Sequence, residues 1–371
     1  MRVLQISKFY KPVMGGIEKV AWELAEGLRA QGLRSDVLCS NQQLHTRRED
    51  FDGYQVVRAS SLGMLLSTSM APSMVAELRR MSTASDLIHL HMPDPMAALA
   101  VWLVRPRVPL VVHWHSDVIR QRRAMRLYQP LQTWLLRRAD AVIATSHPYA
   151  EASQPLQPWR DKVRVIPIGI SDLRPAVDMS AVAALRHRFG DRRIVFALGR
   201  MAYYKGFEVL IAAAAQLPDD TVVVIGGDGE LLQHFRCRVA ELGLDSKVRL
   251  PGQIADHELP LYFAACEIFC MPSTVRSEAY GVAIVEAMVM GRPVVASDIN
   301  GSGVPWVNQH GLTGLNAPAA DVQALAGALA ALLRDPALRR RMGDAGRERF
   351  LRHFTAHNMT RQVIDLYQEL L

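Results

Sequence analysis

The sequence predicts an α/β protein made of two doubly wound halves, each with a parallel sheet covered by helices. Short runs of Val, Ile and Leu alternate with amphipathic helical windows along nearly all of the 371 residues, which is the pattern of βαβ units. A Pro- and Ala-containing connection at 174–177 interrupts this alternation, and the length fits two domains. We therefore expect domains at residues 1–170 and 171–354, with a C-terminal helix over 355–371 packing back on the first domain.

The same alternation places the elements in order. In the first half we expect strands at 3–6, 35–39, 54–58, 87–90, 110–113, 141–145 and 163–167, and helices near 16–30, 73–81, 95–104 and 124–138. In the second half we expect strands at 194–198, 221–225, 247–250, 268–271 and 294–296. The helices there are expected at 207–217, 230–242, 257–265, 282–290, 322–333 and 337–352.

Composition and charge exclude several classes of protein. No apolar run approaches the roughly 18 residues that span a bilayer, and the first residues lack the apolar core of a signal peptide, so we expect a cytoplasmic protein. The four cysteines show no metal spacing and are expected to be reduced. Residues 1–170 hold 22 Lys and Arg against 14 Asp and Glu, a net charge of +8 (22 − 14). This is larger than the net charge of +7 of the whole chain. The excess predicts an anionic partner for the first half.

One stretch in the second half combines two carboxylates with a glycine at a helix start. Glu278 precedes Gly281, and Glu286 lies on the apolar helix that begins at Val282. Side chains tilt toward the N-terminus of a helix, so Glu286 points to the edge where Glu278 and the free amides lie. Carboxylates suit the hydroxyls of a sugar or ribose, and free amides suit a phosphate. Glu286 could instead cap or pair within the core.

Glycines and cations recur where other strands end. Gly15 and Gly16 open the first helix, Arg200 and Lys205 follow the strand at 194–198, and Gly227 follows the next strand. Glycines let a phosphate approach backbone amides, while Arg and Lys together could clamp a diphosphate. Ordinary tight turns and solvent-exposed charges are the alternative explanations.

In the first half, His115 ends a strand that also carries His113. We find no third convergent ligand for a metal, so we expect no metal site and interpret His115 as a substrate partner or as an ordinary loop histidine. The basic segment at 120–126 leads into an amphipathic helix and suggests contact with an anionic membrane, although a solvated basic face fits as well. Aromatic residues for stacking bases are few, so nucleic acid is not expected as a partner.

Taken together and in this order, these motifs resemble the retaining GT-B glycosyltransferases of family 4 over essentially the whole chain. The most specific element is the Glu-seven-residues-Glu signature, Glu278 to Glu286. It is supported by Gly15-Gly16, by Gly199-Arg200 with Lys205-Gly206, and by the segment 165–170. The family usually has Asn where this chain has Ile168, and an acidic residue near Trp306.

The resemblance implies two Rossmann-like domains facing a cleft, a nucleoside-diphosphate sugar as donor, and no metal or other cofactor. Matched position by position, it implies the following contacts: the donor diphosphate with Arg200, Lys205 and the amide of Gly16; the sugar phosphate with the amides of Gly281 and Val282; the transferred sugar with Glu278; the ribose with Glu286; and the sugar or leaving phosphate with His115.

The expected activity is transfer of a hexose, with mannose from GDP-mannose as the leading donor, to a lipid-linked or polysaccharide acceptor. The sequence around His115 and over 303–308 resembles that of bacterial mannosyl- and rhamnosyltransferases of surface-polysaccharide assembly. Such an enzyme would work in the cytoplasm, with the inner face of the cytoplasmic membrane as a candidate place of action. The alternatives are a sugar-nucleotide epimerase or hydrolase on the same fold, or a sugar-nucleotide-binding module without catalysis.

Overall fold

The computed structural model describes residues 1–13, 15–66, 68–118 and 122–371, and describes no side chain for 122–125. Contacts divide the chain into unit 1, which comprises Met1–Ser171 and Thr355–Leu371, and unit 2, which comprises Asp172–Phe354. The last helix thus belongs to the unit that contains the N-terminus. In the described part of the chain, no helix is both long and apolar enough to cross a membrane.

Unit 1 alternates strands and helices around a sheet of eight strands. Its elements are β1 (Arg2–Ser7), α1 (Gly16–Ala30), β2 (Arg34–Ser40), β3 (Arg47–Phe51), β4 (Tyr54–Ala59), β5 (Met64–Leu65), β6 (Thr68–Ser69), α2 (Met74–Ser82), β7 (Leu87–Met92), α3 (Pro95–Val104), β8 (Leu110–Trp114), α4 (Arg122–Arg138), β9 (Ala141–Ala144), α5 (His147–Ala152), β10 (Val163–Val165) and, at the end of the chain, α14 (Ala356–Leu370).

The strand order of this sheet is β10-β9-β8-β7-β1-β2-β4-β3. All pairs are parallel except β3 with β4, and strands β1, β7 and β8 are buried along nearly their whole length because helices cover both faces. From β1 the chain continues to β2 on one side, whereas from β7, the strand on the other side of β1, it continues to β8 in the opposite direction, so the switch point lies between β1 and β7. Ligands of open α/β sheets bind at such a switch point, beyond the carboxyl ends of the strands.

Unit 2 repeats this plan with six parallel strands. Its elements are α6 (Met179–Arg188), β11 (Arg193–Leu198), α7 (Phe207–Ala214), β12 (Thr221–Gly226), α8 (Leu232–Glu241), β13 (Val248–Gly252), α9 (Leu259–Ala265), β14 (Ile268–Met271), α10 (Val282–Val289), β15 (Val294–Asp298), α11 (Val304–Val307), β16 (Gly314–Pro318), α12 (Val322–Arg334) and α13 (Pro336–His353). The order β13-β12-β11-β14-β15-β16 puts its switch point between β11 and β14.

The sequence-based assignment missed strands at the sheet edges. β3 has the sequence RREDF and is largely exposed, so it offers neither an apolar run nor the alternation that marks a strand with one buried face. β16 was also missed, because Gly314 and Pro318 bound it and turn residues dominate its sequence. In unit 1, β10 lies at the edge of the sheet opposite β3 and ends at Val165, two residues before the expected end.

Candidate functional site

In unit 2, three neighbouring strand ends bring the predicted residues to one edge of the sheet. β11 is followed by Gly199 and Arg200, β12 ends at Gly226, and β14 is followed by the loop to Glu278. Because β11 lies between β12 and β14, these loops surround the switch point. The charged and glycine-rich positions that the sequence suggested separately are therefore neighbours.

Lys205 and Glu278 form an ion pair in the middle of this edge. The lysine Nζ lies 2.6 Å from Glu278 Oε2, and the two side chains are only 12% and 11% exposed. Ser273 Oγ donates to the same carboxylate oxygen at 3.1 Å. Burial opposes the charge of Lys205, but attraction to Glu278 and the hydrogen bond outweigh it, so the pKa of Lys205 is raised above its usual value.

The pair does not exhaust the donors of the lysine. An ammonium group offers three N–H donors, and Glu278 takes one of them. Attraction to Glu286, a smaller contribution than attraction to Glu278, also raises the pKa of Lys205. The edge therefore offers one buried cation paired with Glu278, while Arg200 is exposed to solvent.

The start of α10 lies beside this pair and carries no side-chain cap. Gly281 is its N-cap residue, with φ of 84° in the left-handed region. A Cβ at Gly281 would lie 2.9 Å from Ile284 Cδ1 and 3.0 Å from Met271 Sδ, so a larger residue fits neither the backbone nor the packing. Gly281 and Val282 thus lie at an uncapped helix N-terminus, where the dipole favours an anion.

Gly227 has a structural reason to be glycine. Its φ is 128°, and a Cβ there would lie 1.9 Å from the carbonyl oxygen of Gly199. Its own N–H donates to the Gly252 carbonyl at 2.8 Å. Gly227 therefore allows two loops of the edge to touch, and its amide is already occupied, so a contact with a nucleotide would use the bare Cα rather than the N–H.

Gly16 in unit 1 has no such reason. It is the first residue of α1, its backbone is not among the positive-φ glycines, and a Cβ there would meet nothing within 4 Å. Gly15, the N-cap residue, is extended, and a Cβ there would meet only the flexible Glu18 carboxylate. Since neither turn geometry nor packing demands these glycines, close approach of a ligand is the better explanation. The preceding residue, Met14, lies outside the described residues.

His115 lies at the carboxyl end of β8 and belongs to a buried cluster of four histidines. His89 and His91 are two apart on β7 and so share one face, and β7 pairs with β8 so that His91 is opposite His113. The ring centroids of His113 and His115 are 4.1 Å apart, and those of His91 and His115 are 5.2 Å apart. The H-x-H spacing in β7 was the signal that sequence reasoning passed over.

This cluster corrects the statement that no third ligand converges on His113. Ring nitrogens of His89, His91 and His113 all lie within 4.8 Å of one another, a spacing that a metal ion could bridge. Their hydrogen bonds show how the nitrogens are used instead. His89 Nε2 lies 3.2 Å from His113 Nδ1, and His91 Nδ1 lies 2.9 Å from His115 Nε2. A metal would have to displace these bonds, because a neutral imidazole has only one lone-pair nitrogen.

Burial keeps all four rings neutral. It lowers the pKa of His89 and of His115 to about 3 and lowers the pKa of His91 and of His113 well below the usual value. A histidine that does not take up a proton at neutral pH is a poor general base. His115 is therefore suited to hydrogen bonding and orientation rather than to proton abstraction.

Two segments follow His115 in the sequence, a loop that contains Asp117 and the predicted basic segment. Asp117, two residues after His115, accepts from Trp114 Nε1 at 2.9 Å and from Ser153 Oγ at 2.7 Å, so it stabilises the loop. In the basic segment at 120–126, residues 120 and 121 lie outside the described residues. Arg126 and Arg137 of α4 flank a shallow groove that also includes Pro130 and Trp134.

Comparison with known proteins identifies the family of this chain. The family model for glycosyl transferases group 1 matches residues 186–349, and the model for the glycosyl transferase 4-like domain matches residues 15–169. The chain is 33% identical to O-antigen chain mannosyltransferase C of Escherichia coli over 100% of this chain and 99% of that protein. It is 34% identical to the D-rhamnosyltransferase WbpZ of Pseudomonas aeruginosa, over 96% and 93% of the two chains.

Among solved structures, HepE of Anabaena in complex with UDP-glucose superposes with a TM-score of 0.79 and 25% identity, over 100% of both chains. Two family models that together cover both units, and relatives of this identity over nearly the full length, leave one assignment. The chain belongs to the family 4 glycosyltransferases and has the GT-B fold.

Proposed function

We propose that this glycosyltransferase moves a mannosyl residue from GDP-mannose to a lipid-linked or polysaccharide acceptor, with retention of configuration and without a metal ion. The observation that carries the proposal is the buried Lys205–Glu278 pair beside the uncapped start of α10. The mannosyltransferase of Escherichia coli supports mannose as the sugar.

The chemistry follows from where negative charge develops. When the bond from the sugar to the diphosphate breaks, charge builds on the leaving phosphate. Lys205 keeps N–H donors for that charge, and the amides at Gly281 and Val282 add the positive end of a helix. Because Lys205 is nearly buried, its attraction to a phosphate is screened less than that of an exposed cation would be.

The carboxylates then act by positioning. Glu278 accepts hydrogen bonds and lies against Lys205, so we assign it to a hydroxyl of the transferred sugar, and we assign Glu286 to the ribose. Arg200, which is exposed, contributes a second cation for the diphosphate. In unit 1, Gly16 is assigned to the diphosphate and His115 to the donor.

Two kinds of experiment test this function. A thermal-shift screen of nucleotide sugars should single out GDP-mannose, because a ligand at 100 times its Kd stabilises the protein by about 2.7 kcal/mol. Transfer to the acceptor should then fall by about 10²–10³ in kcat for Lys205→Met, the size found when one donor to a developing negative charge is removed. Unchanged transfer in both Lys205→Met and Glu278→Gln would overturn the site assignment.

The same assays separate the alternatives. Release of free sugar or an epimerised nucleotide without acceptor would indicate a hydrolase or epimerase, and donor binding without any turnover would indicate a binding module. GDP-D-rhamnose is the competing donor, since WbpZ is a D-rhamnosyltransferase, and a larger kcat/KM with it would replace mannose. An α-linked product from an α-linked donor, read by NMR, would establish retention.

We also propose that unit 1 contacts an anionic membrane surface. Large apolar side chains are exposed on the β5–β6 hairpin and on α3, including Leu65, Trp102 and Leu103. Arg126 and Arg137 lie along the groove of α4, and α4 contacts α3. Apolar side chains beside cations are what an anionic interface binds. Co-sedimentation with vesicles of anionic phospholipid should drop for Trp102→Ser/Leu103→Ser and for Arg122→Glu/Arg123→Glu, and equal binding by all variants would exclude the contact.

A further inference from the structure

A buried row of hydrogen bonds connects His115 to a residue near the start of the chain. Gln5 of β1 donates its Nε2 to Ser35 Oγ at 2.8 Å, and its Oε1 lies 2.9 Å from His91 Nε2. His91 Nδ1 in turn lies 2.9 Å from His115 Nε2. Gln5, Ser35 and His91 are at most 1% exposed, so water does not compete for these bonds.

The polarity of this row follows from the glutamine. An amide oxygen can only accept, so the hydrogen of neutral His91 lies on Nε2 and its lone pair lies on Nδ1. That lone pair accepts from His115, which places the hydrogen of His115 on Nε2. The lone pair of neutral His115 is therefore on Nδ1, the nitrogen that the row does not use.

A second row in the same cluster has a different end. Tyr367 of α14 lies 2.6 Å from His89 Nδ1, and His89 Nε2 contacts His113 Nδ1. The phenol donates to His89 Nδ1, so the hydrogen of neutral His89 lies on Nε2 and is donated to His113 Nδ1. The hydrogen of neutral His113 therefore lies on Nε2. That nitrogen is buried and has no hydrogen-bond partner. His113 is 0% exposed, whereas His115 is 6% exposed, so the row from Gln5 is the one that reaches the surface of unit 1.

The lone pair on His115 Nδ1 restricts what it can bind. Phosphate oxygens of an ionised diphosphate accept hydrogen bonds and donate none, so they cannot form a hydrogen bond with the lone pair on Nδ1. A sugar hydroxyl does donate. The two roles open to His115, contact with the sugar or with the leaving phosphate, are therefore distinguishable by the position of one hydrogen.

We propose that Gln5, acting through His91, is a positioning residue that holds His115 with its lone pair on Nδ1, so that His115 accepts from a hydroxyl of the transferred sugar. This inference rests on the proposed function, because it takes the ligand of His115 to be a nucleotide sugar. Gln5 itself touches no substrate.

The position of the hydrogen can be measured without any substrate. Nitrogen NMR of histidine-labelled protein at alkaline pH should show a pyridine-type Nδ1 and a pyrrole-type Nε2 for His115. Gln5→Leu should convert His115 to a mixture of tautomers, whereas Gln5→Glu, whose carboxylate still accepts from His91, should preserve the original one. Tyr367→Phe is the matched control, because it breaks the other buried row and should leave His115 as it was.

Kinetics test the consequence for the donor. We expect kcat/KM for the nucleotide sugar to fall about tenfold in Gln5→Leu, the value of one hydrogen bond of about 1.4 kcal/mol, and to be largely retained in Gln5→Glu. Inhibition by the nucleoside diphosphate alone should be the same in the parent and both variants, since the phosphates do not contact His115.

Each outcome bears on a definite statement. A pyrrole-type Nδ1 in the parent protein, or equal losses in Gln5→Glu and Gln5→Leu, would overturn the proposed polarity. A parallel loss of nucleoside-diphosphate inhibition in Gln5→Leu would assign His115 to the phosphate instead. Failure of every nucleotide sugar to react or bind would sink the proposed function, yet the tautomer of His115 and its dependence on Gln5 would still be measured.

Discussion

Acidification from pH 6.5 to pH 5.5 should destabilise unit 1 by about 3 kcal/mol. The reason is the cluster of four buried histidines, whose pKa values burial lowers far below the ordinary value of 6.5, to about 3 for His89 and His115. A base with a depressed folded-state pKa contributes stability above the unfolded value. That stability is lost as the pH falls from 6.5 toward 3, because only the unfolded chain takes up the protons.

The magnitude follows from proton linkage. Over this interval each histidine that is protonated only in the unfolded chain lowers the free energy of unfolding by about 1 kcal/mol, so four lower it by about 4 kcal/mol. Asp94 acts in the opposite direction, since burial raises its pKa to about 6. It takes up a proton in the folded state as the pH falls through that value, which restores about 0.7 kcal/mol.

Urea denaturation at the two pH values provides the measurement. Tryptophan fluorescence reports mainly on unit 1, because five of the six tryptophans (Trp22, Trp102, Trp114, Trp134 and Trp159) lie there. His89→Phe should reduce the loss by about 1 kcal/mol. The exposed His45 of the same unit serves as control, and His45→Phe should leave the loss of stability between the two pH values as large as in the parent. Equal pH dependence in the parent and His89→Phe would refute the reasoning.

Three further predictions concern unit 2. Lys205→Met should lower the free energy of unfolding by about 3–5 kcal/mol in urea denaturation, because it leaves the Glu278 carboxylate buried without its cation. The control Arg200→Met, at an exposed position, should leave the free energy of unfolding nearly unchanged. Equal effects of the two substitutions would contradict the burial argument. Gly281→Ala should lower the free energy of unfolding by at least about 1 kcal/mol, the penalty for a left-handed non-glycine residue, and an unchanged midpoint would show that the turn tolerates a side chain. A thiol reagent should label the native protein only at Cys237, the exposed cysteine, with mass spectrometry locating the adduct and a second modified cysteine as the contrary result.

The fold could be predicted because its signals are local. Apolar runs separated by amphipathic windows mark strands and helices one at a time, and parallel strands place their carboxyl ends at a common edge. The glutamate signature and the glycines at strand ends therefore pointed to a nucleotide-sugar site before any contact was known. The GT-B fold and family 4 membership that they predicted are confirmed. The edge strand β3 escaped because a strand with little burial carries no apolar pattern.

Contacts between distant residues could not be predicted in this way. Lys205 and Glu278 each suggested a ligand, but only the tertiary structure shows them paired at 2.6 Å. The row from Gln5 through His91 to His115 likewise depends on the register in which β1, β7 and β8 pair. Which atoms meet across a sheet is decided by that register and by burial, which removes competing water. The sequence thus determined the elements and the sheet edge to which we assign the site, whereas the pairing of β1, β7 and β8 and the packing of α14 decided which groups the histidine nitrogens meet.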